Sequence, residues 1–282
     1  MMPRNSLAVL SALLFAFTFS ACRKDASDTT ALQDHALAEK ESGFIVQLAN
    51  EAATQLNLIQ QGQVREATHA DSLPDCITLS LDSAGAGYML TIDFGTTPCL
   101  CDQWDNKYRK GQIIVSWTGP YRQTGTVITI ATQDYFAGYE PQSLYRFDYL
   151  KTLTNMGKNS SGNTYFTVNV ASATITLPGG QTISWTSQRQ NEWTQGEATW
   201  WLWDDVYSIT GSASGTDRNG NPFTVTITGP LIVKLSCPWI VQGTLLVVRS
   251  GLPDAELQYG NGQCDNQATV VINGKTYTIY LG

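Results

Sequence analysis

The chain has 282 residues, 15% of them charged, and a formal net charge of −7. An acidic balance without clustered lysine and arginine argues against a nucleic-acid partner, because phosphates need positive charge to neutralise them. Abundant Thr, Ser, Gly, Asn, Gln and aromatic residues are typical of secreted β proteins, and the length accommodates one large domain or two packed sub-domains.

The N-terminus has the pattern of a secretory signal. Arg4 precedes an uncharged apolar run at 7–19, which is shorter than the about 20 residues of a membrane-spanning helix. We therefore predict a signal peptide over residues 1–21. Residues 19–22, Phe-Ser-Ala-Cys, resemble the lipobox of bacterial lipoproteins. The resemblance implies a lipid bilayer anchor on Cys22 and an envelope location, with the outer membrane favoured and its side left open; an ordinary cleavable signal is the alternative.

Three segments separate this anchor from the main domain. Residues 22–31 lack large apolar side chains after the cysteine, which predicts a tether. Apolar residues then recur at three- and four-residue steps over 32–60 and predict a helical segment that packs against the rest of the protein, with Gly43 as a possible break. Residues 61–75 are expected to form a linker.

From residue 76 to 282 the apolar period changes to two. Phe223, Val225 and Ile227 alternate with threonines, as half-buried strands do, and Asn219-Gly220 is one of several pairs suited to tight hairpin turns. No helical pattern long enough for a parallel crossover intervenes. The predicted fold is mostly β, either an antiparallel sandwich or a curved meander sheet, with the N-terminal helical segment.

Two hairpins carry a repeated cysteine frame. Cys237 precedes one hairpin and Cys264 follows it, so their Cα atoms can approach the roughly 4.4–6.8 Å that a disulfide needs. Cys76 stands in the same relation to Cys99 and Cys101. In an oxidising compartment we predict the disulfide Cys237–Cys264 and a second one between Cys76 and either Cys99 or Cys101.

Four segments resemble those of a family of uncharacterised Bacteroidetes-type lipoproteins: TIDFGTTPCLCD (91–102), YRKGQIIVSWTG (108–119), DDVYSITGSASG (204–215) and GQCDNQATVVINGKTYTIYL (262–281). The similarity extends in order over nearly the whole chain after the signal. It implies an envelope lipoprotein with a β-rich fold and assigns no catalytic residue.

The strongest functional signal is a cluster of tryptophans and acids at 185–205. Aromatic rings can stack on sugar rings while polar neighbours bind hydroxyl groups, so we predict a glycan-contacting surface. Its candidate residues are Trp193, Trp201, Trp203, Asp204 and Asp205. Two alternatives remain open. Paired carboxylates of this region, which also holds Glu192 and Glu197, could serve a glycan hydrolase, and the tryptophans could instead be core residues.

Other motifs point to no chemistry, and we expect no catalytic residue, cofactor or metal. His35 and His69 occur in no metal-binding frame, and GSASG at 211–215 has Ala213 where a nucleophile would stand. Asp217, Asn219 and Asn221 only partly match a calcium loop, since no suitable glutamate follows. The function classes are therefore a binding or structural lipoprotein, a glycan hydrolase, or an assembly component with an envelope-protein partner.

Overall fold

The structure, a computed structural model, describes residues 29–60, 77–84, 87–101, 105–199 and 202–281. The predicted signal peptide, Cys22, most of the tether and the linker at 61–75 lie outside these ranges. So do Cys76, His69 and Trp201.

The helix α1 extends over Thr30–Gln60. It begins at the end of the predicted tether and passes through Gly43 without a break. Among the described residues no helix is both long and apolar enough to cross a membrane.

Fourteen strands follow in the described part of the chain. They are β1 (Thr78–Ala84), β2 (Gly87–Asp93), β3 (Cys99–Cys101), β4 (Lys107–Trp117), β5 (Val127–Gly138), β6 (Tyr145–Lys158), β7 (Thr164–Thr176), β8 (Thr182–Gln195), β9 (Val206–Thr216), β10 (Pro222–Lys234), β11 (Ile240–Arg249), β12 (Ala255–Asn261), β13 (Gln267–Ile272) and β14 (Lys275–Tyr280). All belong to one open sheet in which neighbours in sequence pair antiparallel, except that β2 and β3 both pair with β4. The mostly β prediction is confirmed, and the sheet is a meander rather than a sandwich.

The sheet curves around α1. Glu41 of the helix contacts Lys107 on β4, while Ser42 contacts Lys151 on β6 and Glu39 contacts Arg189 on β8. With neighbouring strands about 4.8 Å apart, a flat sheet would separate β4 from β8 by about 19 Å, much more than the space between adjacent helix residues. The sheet therefore wraps the helix and buries one of its faces against it.

Bulges contribute to this curvature, because an extra residue bends a strand and increases its twist. One lies in β5 opposite Gly111 of β4, because two β5 residues face this one glycine between the pairs Lys110–Phe136 and Gln112–Gln133. Gly111 has a φ of 86°, and a Cβ atom there would lie 1.9 Å from the carbonyl oxygen of Asp134. Only glycine fits this position.

The inner face carries the alternating apolar residues that the sequence indicated. Phe223 and Val225 on β10 are buried while Thr224 and Thr226 between them are exposed. The same alternation recurs along β7, β11 and β13, whose buried positions build one continuous core.

The disulfide Cys237–Cys264 is confirmed, with its Cα atoms 5.7 Å apart. It joins the segment before β11 to the segment after β12. Cys99 is also disulfide-bonded, to a partner outside the described residues. Among the described cysteines, Cys101 is a buried free thiol.

Candidate functional site

Trp193 belongs to the core rather than to a surface. Its side chain is 3% exposed and its ring stacks on Tyr207 with centroids 5.7 Å apart, while Tyr121 meets it edge-on at 6.0 Å. Its indole Nε1 donates a hydrogen bond of 3.1 Å to Asp205 Oδ1, and Asp205 is itself 2% exposed. The prediction that Trp193 and Asp205 line an exposed surface is therefore wrong, because their aromatic and polar atoms satisfy each other inside the sheet.

Trp203 and Asp204, in contrast, face solvent. They lie on a short 3-10 turn over Leu202–Asp204, and Trp203 is 53% exposed. The carboxylate of Asp204 accepts hydrogen bonds of 2.9 and 3.0 Å from Thr199 Oγ1. Of the five candidate ligand-binding residues, these two remain available, and Trp201 lies outside the described part of the chain.

The loop that carries Trp203 connects β8 to β9 and is held from several sides. Arg122, from the β4–β5 loop, donates 2.7 Å to the carbonyl of Glu197 and 2.5 Å to the carbonyl of Thr199. The Glu197 carboxylate accepts from Lys158 at 2.5 and 2.6 Å and from Thr164 at 2.6 Å. Together with the Trp193–Asp205 hydrogen bond, these contacts hold the loop that carries the exposed Trp203.

Each of the four acids considered for hydrolysis already has a partner. Glu192 accepts a hydrogen bond of 2.7 Å from Asn163, which lowers its pKa. Partial burial would raise the pKa of Glu197, but the hydrogen bonds from Lys158 and Thr164 lower it below its usual value. Burial raises the pKa of Asp205 to about 6, opposed by the hydrogen bond from Trp193. An acid with a raised pKa could donate a proton, but Asp205 is only 2% exposed.

A first group of buried polar residues, which the sequence pattern did not indicate, lies between α1 and the sheet. Glu41 is 1% exposed and bonds Lys107 Nζ at 3.0 Å and the Tyr135 hydroxyl at 2.7 Å. Arg109 donates to Tyr135 at 3.0 Å and forms a two-pronged pair with Asp105, each bond 2.7 Å long. We call these five residues the Glu41 network.

The Glu41 network is balanced in charge, with two carboxylates against two cations. Burial alone would raise the pKa of Glu41, but Lys107 and Arg109 hold it below its usual value. Arg109 likewise lowers the pKa of Asp105 against the effect of burial. The ring of Phe44 on α1 covers the Arg109 guanidinium at 3.8 Å. Such an arrangement ties helix and sheet together and leaves no free acid or base for catalysis.

A second buried group, which we call the Glu39 network, consists of His35, Glu39, Ser42, Tyr149, Lys151, Trp185 and Arg189. Glu39 pairs with Arg189, and His35 Nε2 lies 3.7 Å from the same Glu39 oxygen. Lys151 donates 3.0 Å to Ser42, which also bonds the Tyr149 hydroxyl. Burial lowers the pKa of His35 to about 4 and that of Lys151 to about 8.

The start of α1 is held by a third ion pair, between buried Asp34 and partly exposed Arg218. Arg218 lies in the β9–β10 turn next to Asp217, the residue that suggested a partial calcium loop. The Asp217 carboxylate accepts backbone hydrogen bonds of 2.9 Å from Asn219 and from Asn221. Its oxygens are therefore used to close the predicted hairpin turn.

Across the described ranges no three or more His, Cys, Asp or Glu side chains are grouped as a metal site requires. No protein-family model matches the chain, and neither a curated protein nor a solved structure matches it. The resemblance to Bacteroidetes-type lipoproteins stays a prediction.

Proposed function

We propose that this protein is an envelope lipoprotein, anchored to a membrane through Cys22, whose β domain is a non-catalytic binding module that contacts glycans through Trp203. The observation that carries the binding role is an exposed tryptophan on a firmly held turn. A tryptophan on a loop that is already held in place requires less ordering of the backbone when a sugar ring stacks on its indole.

The engaged acids favour binding over hydrolysis. A glycosidase needs two carboxyl groups about 5–10 Å apart on either side of the scissile bond. Here Asp205 is buried under Trp193, and Glu197 is held by Lys158. Asp204 is exposed beside Trp203 and is suited to accept hydrogen bonds from sugar hydroxyls.

The proposed anchor places the domain close to the bilayer. Helix α1 begins at Thr30, so only residues 23–29 separate it from Cys22. A fully extended chain spans at most about 3.3–3.6 Å per residue, which limits this separation to about 25 Å. The buried ion pairs of α1 then connect the short tether to the sheet.

Thermal unfolding of the full chain in detergent, with a panel of polysaccharides and oligosaccharides, tests the binding role. A ligand that binds only the native state raises the Tm in a saturable way. We expect one glycan to do so, and Trp203→Ala to abolish the shift. Tyr280→Ala is the matched control, because Tyr280 is also exposed, at 67%, and lies on the edge strand β14.

Loss of the shift in both variants, or no shift with any glycan, would contradict the glycan-binding role. Chromatography of the incubated glycans separates binding from hydrolysis. Shortened products that disappear in Asp204→Asn would instead support the hydrolase alternative.

An assembly role has one observation in its favour. Strands β1 and β14 are the two edges of the sheet, and the structure pairs no described strand with their outer sides. Open edges offer backbone groups to a strand of another protein. Cross-linking from position 280 in intact cells tests this second candidate, and a single discrete adduct would support it.

A further inference from the structure

The Glu39 network contains more buried hydrogen-bond donors than acceptors. Within the described ranges, Arg189 Nε and Nη1, Trp185 Nε1 and both ring nitrogens of His35 have no partner. His35 is 0% exposed, Trp185 is 2% exposed and Arg189 is 7% exposed. The N–H groups of Arg189 and Trp185, and the single N–H of neutral His35, are buried donors that are costly unless something accepts from them.

These donors belong to one place. Arg189 Nη2 and His35 Nε2 both approach the same Glu39 oxygen, and the rings of His35 and Trp185 have centroids 6.2 Å apart. Trp185 and Arg189 also point to the same face of β8, because even spacing along a strand keeps side chains on one side. His35 thus lies between the indole and the guanidinium.

The same place has an excess of positive charge. Arg189 and Lys151 are both cationic when protonated, and Glu39 is the carboxylate that acts on both. The other buried glutamate of the helix, Glu41, is committed to Lys107 and Tyr135. A bound water would satisfy donors here, but it would not compensate the remaining charge.

We propose that the Glu39 network holds one small monovalent anion of the chloride class, bound by the free N–H groups of Arg189 together with His35 and Trp185. Burial limits its size. Arg189, His35 and Trp185 are at most 7% exposed between α1 and β8, so an anion that these groups share must be small.

The first test is the Tm of the full chain in detergent at constant ionic strength, with chloride or bromide replacing gluconate. A specific anion gives a saturable rise, of about 5 °C when it is present at about a hundred times its Kd. Gluconate is too large for the site and gives no rise. A Tm that does not depend on the identity of the anion would overturn the proposal.

Two matched variants locate the effect. Arg189→Lys keeps a positive charge opposite Glu39 but removes the free arms of the guanidinium, and it should abolish the saturable rise. Arg218→Lys makes the same change at the other arginine that pairs with a helix carboxylate, Asp34, and should leave the rise unchanged. A rise that both variants retain would overturn the assignment to Arg189.

Crystals of the wild-type protein grown in bromide test the site directly and do not require any variant to fold. We expect an anomalous scattering peak within hydrogen-bond distance of Arg189 Nη1 or Nε. No peak at this position would overturn the proposal. A peak without a saturable rise in Tm would mean an adventitious ion only, and would overturn it as well.

Discussion

The buried histidine makes a specific prediction about pH. His35 lies at the centre of the helix–sheet interface with 0% exposure, and burial lowers its pKa from 6.5 to about 4. Glu39 on the helix raises the pKa and Arg189 on β8 lowers it, while Trp185 and Phe223 surround the ring. The folded protein therefore favours the neutral imidazole.

The sign follows from proton uptake in the two states. Between pH 6.5 and 4 the unfolded chain has protonated His35 and the folded chain has not, so stability falls as the pH falls through this range. Lowering the pKa from 6.5 to about 4 corresponds to about 3 kcal/mol of unfolding free energy. Above pH 6.5 this contribution is fully present.

Urea unfolding of the wild type and of His35→Leu, at pH values from 4 to 7.5, measures this contribution. The difference between the two curves is used because the contribution of Asp205 to the unfolding free energy changes with pH in the opposite direction to that of His35. The raised pKa of Asp205, about 6, makes its own contribution largest below pH 3.8, and this contribution disappears as the pH rises through 6. We expect the wild type to lose about 3 kcal/mol more than the variant between pH 6.5 and 4. Parallel curves would refute the buried neutral histidine.

Three further changes test the packing. Glu41→Gln should destabilise the fold by about 3–5 kcal/mol in chemical unfolding, because Lys107 loses its buried partner; exposed Glu140→Gln is the control, and equal effects would contradict the network. Cys237→Ser should cost about 3–4 kcal/mol, given the 27-residue separation of the disulfide, and a variant as stable as the oxidised wild type would argue against that bond. Trp193→Ala should cost about 3–5 kcal/mol, while Trp203→Ala should leave the Tm unchanged. A larger loss of stability for Trp203→Ala than for Trp193→Ala would contradict the burial of Trp193 and the exposure of Trp203.

Much of the fold follows from local rules. The period-two pattern at 223–228, the Asn219-Gly220 turn and the Cys237–Cys264 frame each depend on neighbours in sequence, and all three are present in the structure. The choice between a sandwich and a meander could not be made this way. It depends on how far the sheet bends around α1, which local alternation does not encode.

The buried charges were missed although the sequence contained a signal for them. Lys107 and Arg109 are in phase with the buried Ile113 and Val115 on β4, so period two places all four on one face. Arg189 is likewise in phase with Trp185. A basic residue at an inward position needs an acidic partner. Local periodicity does not identify that partner, because the acids of the helix are distant in sequence from the strands they contact.

The most direct test of the proposed function is the mass of the N-terminal peptide from protein isolated from a bacterial envelope. We predict a chain that begins at Cys22 and carries diacylglycerol on its thiol, and a Cys22→Ser variant that carries no lipid and leaves the membrane fraction. A wild-type N-terminal peptide without lipid, whether it starts at Cys22 or elsewhere, would contradict the lipoprotein assignment.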